Sequence, residues 1–383
     1  MTLDELRANE ALRRHEFPVV ADRVFLAHAG VCPLPRRVAD AMGRYVANCQ
    51  QGDQEDVLPN RQIPRTRELA ARLLGAKPDE IALVGPTSLA LSFVAAGLAF
   101  SPGDNVVAYF DDYPSNVYPW AALAEKQVET RFLQTPALGV IGPAEVLEKV
   151  DERTRLVALA SCHFVAGYRI DIAGIGEELK RRGILFCVDG IQTLGAFPTP
   201  IGAVDFLAAD AHKWLLGPCA AGILFVREEM QSRLAPMALG WNNVVCPDFV
   251  AQAPMALRRG GRRYEPGTHN LVGLVGLEAA LELILEIGVA EIGRELARQR
   301  AWLVPALRAK GWSVLQGDAP PERTGGITSF YRPGVGVAAW HQKLRDAGVI
   351  VSARADRSGQ QYLRISPHFY NTDAELRRAL ELV

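Results

Sequence analysis

The run Ala208-Ala209-Asp210-Ala211-His212-Lys213-Trp214-Leu215-Leu216-Gly217-Pro218 decides how this chain reads. It follows Val188-Asp189-Gly190-Ile191-Gln192 by about one β-α-β step. Each segment is an apolar strand that ends in polar residues. A lysine just past one strand and an acid just past another can grip opposite ends of one flat cofactor. Taken singly, Lys213 reads as a surface lysine and Asp189 as a helix cap. The rest of the chain decides between these readings.

Composition frames the problem. With 383 residues, 49% hydrophobic and 22% charged, the chain suits a large globular domain with a smaller companion. A net charge of -1 supplies no field toward nucleic acid or a membrane surface. The basic cluster Arg258-Arg259 and Arg262-Arg263 sits among glycines and reads as a solvated loop. Cys32, Cys49, Cys162, Cys187, Cys219 and Cys246 are scattered without a C-x-x-C pair, so no metal site is expected. The opening Met1-Thr2-Leu3-Asp4-Glu5-Leu6-Arg7 lacks the apolar core of a signal peptide, and no apolar run reaches spanning length. A cytoplasmic protein with reduced thiols is expected.

The first fifteen residues read as one short helix. Val24-Phe25-Leu26 is a short extended run ending in His28-Ala29-Gly30, and Pro33-Leu34-Pro35 opens a helix through Asn48. A helix over 65–75 stops at glycine, Glu80 to Gly85 is a strand, and Pro86-Thr87-Ser88 leads into an apolar helix over 89–100. Apolar strands then recur at 105–109, 130–133, 156–160, 185–188, 206–208 and 222–226, with helices near 143–150 and 173–182. Such strands, separated by helices, predict a mostly parallel sheet covered on both faces, with ligands beyond the carboxyl ends of its strands. Beyond Asn270 come an apolar helix over 271–288 and a charged one over 290–310. Short strands at 312–315, 326–330 and 361–365 follow, with helices at 337–347 and 373–382. The expected division is an N-terminal segment (1–24), a large domain (25–270) and a smaller α/β domain (271–383).

These motifs, in this order, resemble the class V aminotransferase-fold enzymes of the fold-type I pyridoxal 5'-phosphate group. That group includes cysteine desulfurases, C–S lyases, kynureninase, isopenicillin N epimerase and small-substrate aminotransferases. The match runs from about Phe25 to the C-terminus. The resemblance implies an α/β large domain with a seven-stranded, mostly parallel sheet, pyridoxal 5'-phosphate as cofactor, and Lys213 as the lysine that forms the Schiff base. It makes Asp189 the partner that keeps the pyridine nitrogen protonated, and Gln192 a donor to the ring's phenolic oxygen. His212 would help hold the phosphate or the Schiff base. Thr87 and Ser88, which open a helix after a strand, suit the phosphate. Tyr113, within Asp112 to Trp120, stands where many members place a histidine that stacks on the ring. Arg263-Tyr264-Glu265-Pro266-Gly267-Thr268 resembles the loop by which a neighbouring subunit completes the phosphate site through Thr268. That implies a homodimer with shared active sites. Arg364, within Leu363 to Thr372, is implied to clamp the substrate α-carboxylate, and His28 to line the substrate side.

The departures are as informative. Cysteine desulfurases carry a nucleophilic cysteine shortly before the carboxylate-binding arginine. Here that stretch, Ser352 to Gln360, holds none, so persulfide formation on this loop is excluded. Arg354 and Arg357 in it read as solvated loop arginines, with a reach toward an acidic substrate side chain as the alternative. Phe164 takes the place of a frequent asparagine and gives a more apolar substrate wall. Cys162 and His163 are adjacent, so an extended chain points them to opposite sides rather than pairing them as nucleophile and base. Asp210, an anion, is not expected to hold a phosphate.

The expected substrate is a small α-amino acid. Transamination, β-elimination and epimerisation share the residues named, with transamination favoured because nothing in the chain visibly supports a leaving group. A non-catalytic scaffold would need none of Lys213, Asp189, Gln192, His212 and Arg364 together. A nucleotide-binding oxidoreductase would need a G-x-G-x-x-G after an early strand, which is missing.

Overall fold

The apolar runs between Ile81 and Val226 become strands in the computed structural model, which describes residues 1–334 and 336–383. After the short strand β1 (Val24–Phe25), the main sheet takes β2 (Ile81–Val84), β3 (Asn105–Ala108), β4 (Glu129–Phe132), β5 (Thr154–Ala160), β6 (Leu185–Asp189), β7 (Phe206–Asp210) and β8 (Gly222–Val226). Their spatial order is β2-β8-β7-β6-β5-β3-β4. The five strands β3 to β7 run parallel, whereas β8 lies antiparallel between β7 and β2. The sheet is thus mostly parallel, as the alternation of strands and helices predicts.

Two-sided burial explains why the strands are apolar throughout. In β5, Val157 and Leu159 face one core with Phe186, Val188 and Leu207. Leu156 and Ala158 face the other with Cys187, Phe206 and Leu224. Leu274, Leu277 and Leu281 of helix Leu271–Ile287 cover the first face. Leu91 and Val94 of helix Thr87–Gly97 cover the second. Each such side chain, fully buried, contributes roughly 1.5–3 kcal/mol. Helix Leu271–Ile287 is apolar on all but the stripe Glu278, Glu282 and Glu286 because it is buried twice: Leu283, Ile284 and Ile287 join Leu3, Leu6 and Phe17 in a further cluster.

The N-terminus forms two helices rather than one, Leu3–Ala8 and Glu10–Glu16. Asn9 between them is extended (φ -129°, ψ 93°), and its side chain accepts from Leu12 N at 3.0 Å. The chain therefore stops and restarts on an asparagine cap. The segment docks on the C-terminal region: Arg13 pairs with Glu375 at 2.9 Å, and Phe17 stacks on Tyr370 with centroids 4.0 Å apart.

The C-terminal region adds β9 (Ser313–Val314), β10 (Thr328–Tyr331), β11 (Val349–Ile350), β12 (Ser352–Ala355) and β13 (Gln361–Ile365). Four of these form an antiparallel sheet of order β12-β13-β10-β9, and β11 pairs in parallel with β1. β12 is not announced by its composition. Ser-Ala-Arg-Ala is a poor strand former, and its extended shape is imposed by four residue pairs with β13.

Candidate active site

The parallel strands all end on one edge, and β8 starts there. Ala160 of β5 pairs with Asp189 of β6, Asp189 with Ala208 of β7, and Asp210 of β7 with Gly222 of β8. A side chain at Gly222 would begin 2.4 Å from Gly85 O, so glycine is required where the strands crowd. A cavity of about 310 Å³ lies against this edge. Asp189, Gln192, Lys213, Thr87, Ser88, Tyr113, His212 and Arg364 all line it. These eight residues come from five separate stretches of sequence, and strand order brings them together.

Lys213 stands three residues past β7 and is 8% exposed. Burial pulls its ammonium down to about 8; Asp189 opposes this, and Arg364 and Arg354 add to it. Asp189, at the end of β6, accepts a hydrogen bond from Ile191 N at 3.0 Å. Burial pushes its carboxyl up to about 6, with Asp112 adding to the shift and Lys213 opposing it. A buried carboxylate with a single backbone donor fits a protonated pyridine nitrogen, which would restore its ionised form. Tyr113 lies across the cavity, with Lys213 Nζ 5.5 Å from its ring centroid. Phe164 meets that ring edge-on at 5.4 Å.

At the other end, Pro86 gives helix Thr87–Gly97 no side-chain cap, and no carbonyl accepts from the first-turn N–H groups of Thr87 and Ser88. That leaves a site for an anion. The Thr87 hydroxyl accepts from Asp210 N at 2.9 Å, which ties this helix to the turn carrying Lys213. Asp210 is no phosphate ligand but the clasp of that turn. Its carboxylate accepts from Ala211 N at 2.7 Å, Ala220 N at 3.1 Å and Ala221 N at 3.1 Å, and pairs with His212 Nδ1 at 2.9 Å. Gln192 is held at both ends of its amide: Nε2 donates to Ala29 O at 3.2 Å, and Oε1 accepts from Trp214 Nε1 at 2.9 Å.

Arg364, on β13, is 1% exposed. It donates to Phe164 O at 2.6 Å and to Ser352 Oγ at 3.4 Å, and its Nε has no partner among the described residues. Burial and the neighbouring Arg354 bring its guanidinium down to about 9, still a cation at neutral pH.

One residue expected here lies elsewhere. His28 is fully buried off the cavity wall: Nδ1 donates to Ser366 O at 3.0 Å, so Nε2 accepts from Tyr370 OH at 2.7 Å. It shapes the loop whose next residues, Ala29, Gly30 and Val31, form the wall. Thr268, expected at a neighbouring subunit's phosphate site, is exposed on another face, beside a cavity of about 500 Å³ where Arg67, Glu265 and His269 satisfy one another. Cys162 and His163 are not a catalytic pair. Burial pushes the thiol up to about 12 and the imidazole down to about 4, and His163 Nε2 donates to Asp111 O.

The structure also separates the two loop arginines and adds a residue that a reading of isolated motifs passes over. Arg354 lines the cavity rather than standing in solvent. Arg357 is the surface arginine, pairing with Asp111 and lying 3.7 Å over the Phe110 ring. Buried Asp112 accepts from Tyr113 N at 2.7 Å and Asn116 Nδ2 at 2.9 Å, which fixes the loop that presents Tyr113. The i, i+4 spacing of Asp112 and Asn116 was the available signal.

Known proteins resemble this chain over most of its length. The family model described as aminotransferase class-V matches residues 24–379. A probable cysteine desulfurase of Methanothermobacter thermautotrophicus is 32% identical over 83% of this chain and 80% of its own. The uncharacterised aminotransferase YcbU of Bacillus subtilis is 29% identical over 96% and 95%. The apo structure of a cysteine desulfurase from Thermococcus onnurineus superposes with a TM-score of 0.87 at 24% identity, covering 96% of both chains. That last likeness is one of fold.

Proposed function

The chain belongs to the class V aminotransferase family of pyridoxal 5'-phosphate enzymes, and on that premise we propose that it transaminates a small α-amino acid. In this reading Lys213 holds the cofactor covalently and Asp189 pairs with its ring nitrogen. Thr87, Ser88 and His212 take its phosphate, Gln192 meets its phenolic oxygen, and Tyr113 stacks on it. When bound, the cofactor supplies an electron-poor ring that accepts the electron pair left at the substrate α-carbon. Arg364 clamps the α-carboxylate and so orients the α-hydrogen toward Lys213. Lys213 Nζ, once released, takes that proton; its lowered pKa keeps the amine available as a base near neutral pH.

The lack of visible support for a leaving group favours transamination over β-elimination, and one observation of the cavity favours it over epimerisation. Among the described residues lining the cavity, Lys213 is the only amine and Asp189 the only carboxylate, and the imidazole of His212 is tied through Nδ1 to Asp210. A single base serves a proton moved between neighbouring carbons on one face. Epimerisation calls for a second base on the opposite face. The probable cysteine desulfurase among the relatives favours β-elimination as a second reading. Incubation of the holoprotein with amino acids separates them. Transamination converts the cofactor to its pyridoxamine absorbance. Release of pyruvate and ammonia without that conversion supports a lyase and overturns our reading.

We also propose a cytoplasmic homodimer. Exposed Trp241, Phe249, Val250 and Met255 lie near the face that carries Thr268, and a second copy would cover them and bring Thr268 to its neighbour's phosphate site. All six cysteines are unpaired, in keeping with a reducing compartment. In the described residues no helix is long and apolar enough to cross a membrane. Sedimentation at a monomer's mass would refute the dimer.

A further inference from the structure

Arg354 is a second cation in the substrate cavity, and among the described residues no acid holds it. β12 and β13 pair so that Ser352 faces Arg364 and Arg354 faces Tyr362. Arg354 and Arg364 therefore share one face of the sheet as diagonal neighbours. Both line the cavity. A side chain at Gly30 would begin 3.7 Å from Arg354 Nη2 and 3.8 Å from Arg364 Nη2, so both guanidiniums front the same spot, and glycine leaves it open. Gly30 does not sit at positive φ, so room rather than backbone conformation accounts for the glycine.

The nearby charges define what is missing. Arg357 is paired with Asp111. Asp356, the acid nearest in sequence, is engaged by Ser358 Oγ, Gln360 N and the Tyr362 hydroxyl. Arg354 donates only to its own neighbour, Ala353 O, at 2.7 Å. The phosphate site of the reading above lies on helix Thr87–Gly97, in the large domain, and not on this small-domain sheet. Two like charges on one sheet face repel in a partly desolvated cavity, and an anion placed between them relieves that repulsion.

We propose that Arg354 recognises a second acidic group on the substrate, so that the site takes α-amino acids whose side chains end in a carboxylate. The α-carboxylate binds Arg364 and the side-chain carboxylate binds Arg354, each through the guanidinium fork. This rests on the proposed substrate pose at Arg364 and names its substrate class.

The test uses holoprotein whose cofactor attachment has first been established, so that its outcome bears on Arg354 alone. Succinate and glutarate are titrated calorimetrically against their monoamides, succinamate and glutaramate. None of these carries an amine, so binding is read without turnover. The expected result is that at least one dicarboxylate binds roughly 10- to 100-fold tighter than its amide, the range for a lost charged hydrogen bond. In Arg354→Gln that preference should collapse to about one while amide binding persists. Equal binding of acid and amide by the wild-type protein would overturn the proposal whether or not the variant folds. A preference that survives Arg354→Gln would overturn it as well.

Discussion

Replacing Asp210 tests how the turn that presents Lys213 is held. This turn carries two non-glycine residues at positive φ, Leu216 (58°) and Ala220 (58°). Each such residue costs about 1–2 kcal/mol, and the Asp210 carboxylate offsets that cost by gathering the turn's donors. Oδ1 accepts from Ala211 N and Ala221 N, while Oδ2 accepts from Ala220 N and pairs with His212 Nδ1. Asp210→Ala leaves the N–H groups of Ala211 and Ala221 buried without an acceptor, whereas Ala220 is exposed enough to reach water. At about 1–3 kcal/mol for each orphaned donor, the loss is about 4 kcal/mol. Asp210→Asn keeps an oxygen for Ala211 and Ala221, and His212 can change tautomer to accept from the new amide. Its cost is about 1 kcal/mol. Urea unfolding of cofactor-free protein measures both without the stabilisation that a bound ligand adds. The reasoning fails if Asp210→Ala lies within about 1 kcal/mol of wild type, or if the two variants are equally destabilised.

Three further outcomes follow from the same site. The rate at which cofactor-free protein captures pyridoxal 5'-phosphate should rise with pH through about 8, because Lys213 must shed its proton to attack. Arg354→Gln should move that midpoint upward by removing a positive neighbour, and stopped-flow absorbance reads both. Tyr113→Phe should retain cofactor affinity, since the ring and not the hydroxyl stacks. Tyr113→Ala should weaken it roughly tenfold, as the loss of one aromatic contact implies; equal losses in the two variants would show that the hydroxyl does the holding. Gly30→Val should leave cofactor absorbance intact while weakening carboxylate binding at least tenfold, because its carbons fill the spot between Arg354 and Arg364.

The main sheet could be read from sequence because a strand buried on both faces has no polar alternation to blur it. Leu156 to Ala160 and Leu185 to Val188 carry that signature. The direction of β8 could not, since Gly222 to Val226 is equally apolar whichever way it runs. The break at Asn9 was hidden because helical residues flank it on both sides. In the site, Lys213, Asp189, Thr87 and Tyr113 converge because each follows a strand of one sheet, and that much is local pattern plus topology. His28 went astray by the neighbouring positions: the loop turns Ala29, Gly30 and Val31 to the cavity and leaves His28 buried behind. Arg354 could not be told from Arg357 for a different reason. An arginine in a polar run reads as solvated until the pairing of β12 with β13 sets it beside Arg364, and β12 has no strand propensity of its own to announce that pairing.

The whole account turns on where the cofactor is attached. Borohydride reduction of the holoprotein, followed by peptide mapping, fixes the attachment point permanently. The account predicts a reduced pyridoxyl label on Lys213 and its absence in Lys213→Ala. A label on any other lysine, or none in protein that carries the cofactor, would contradict it.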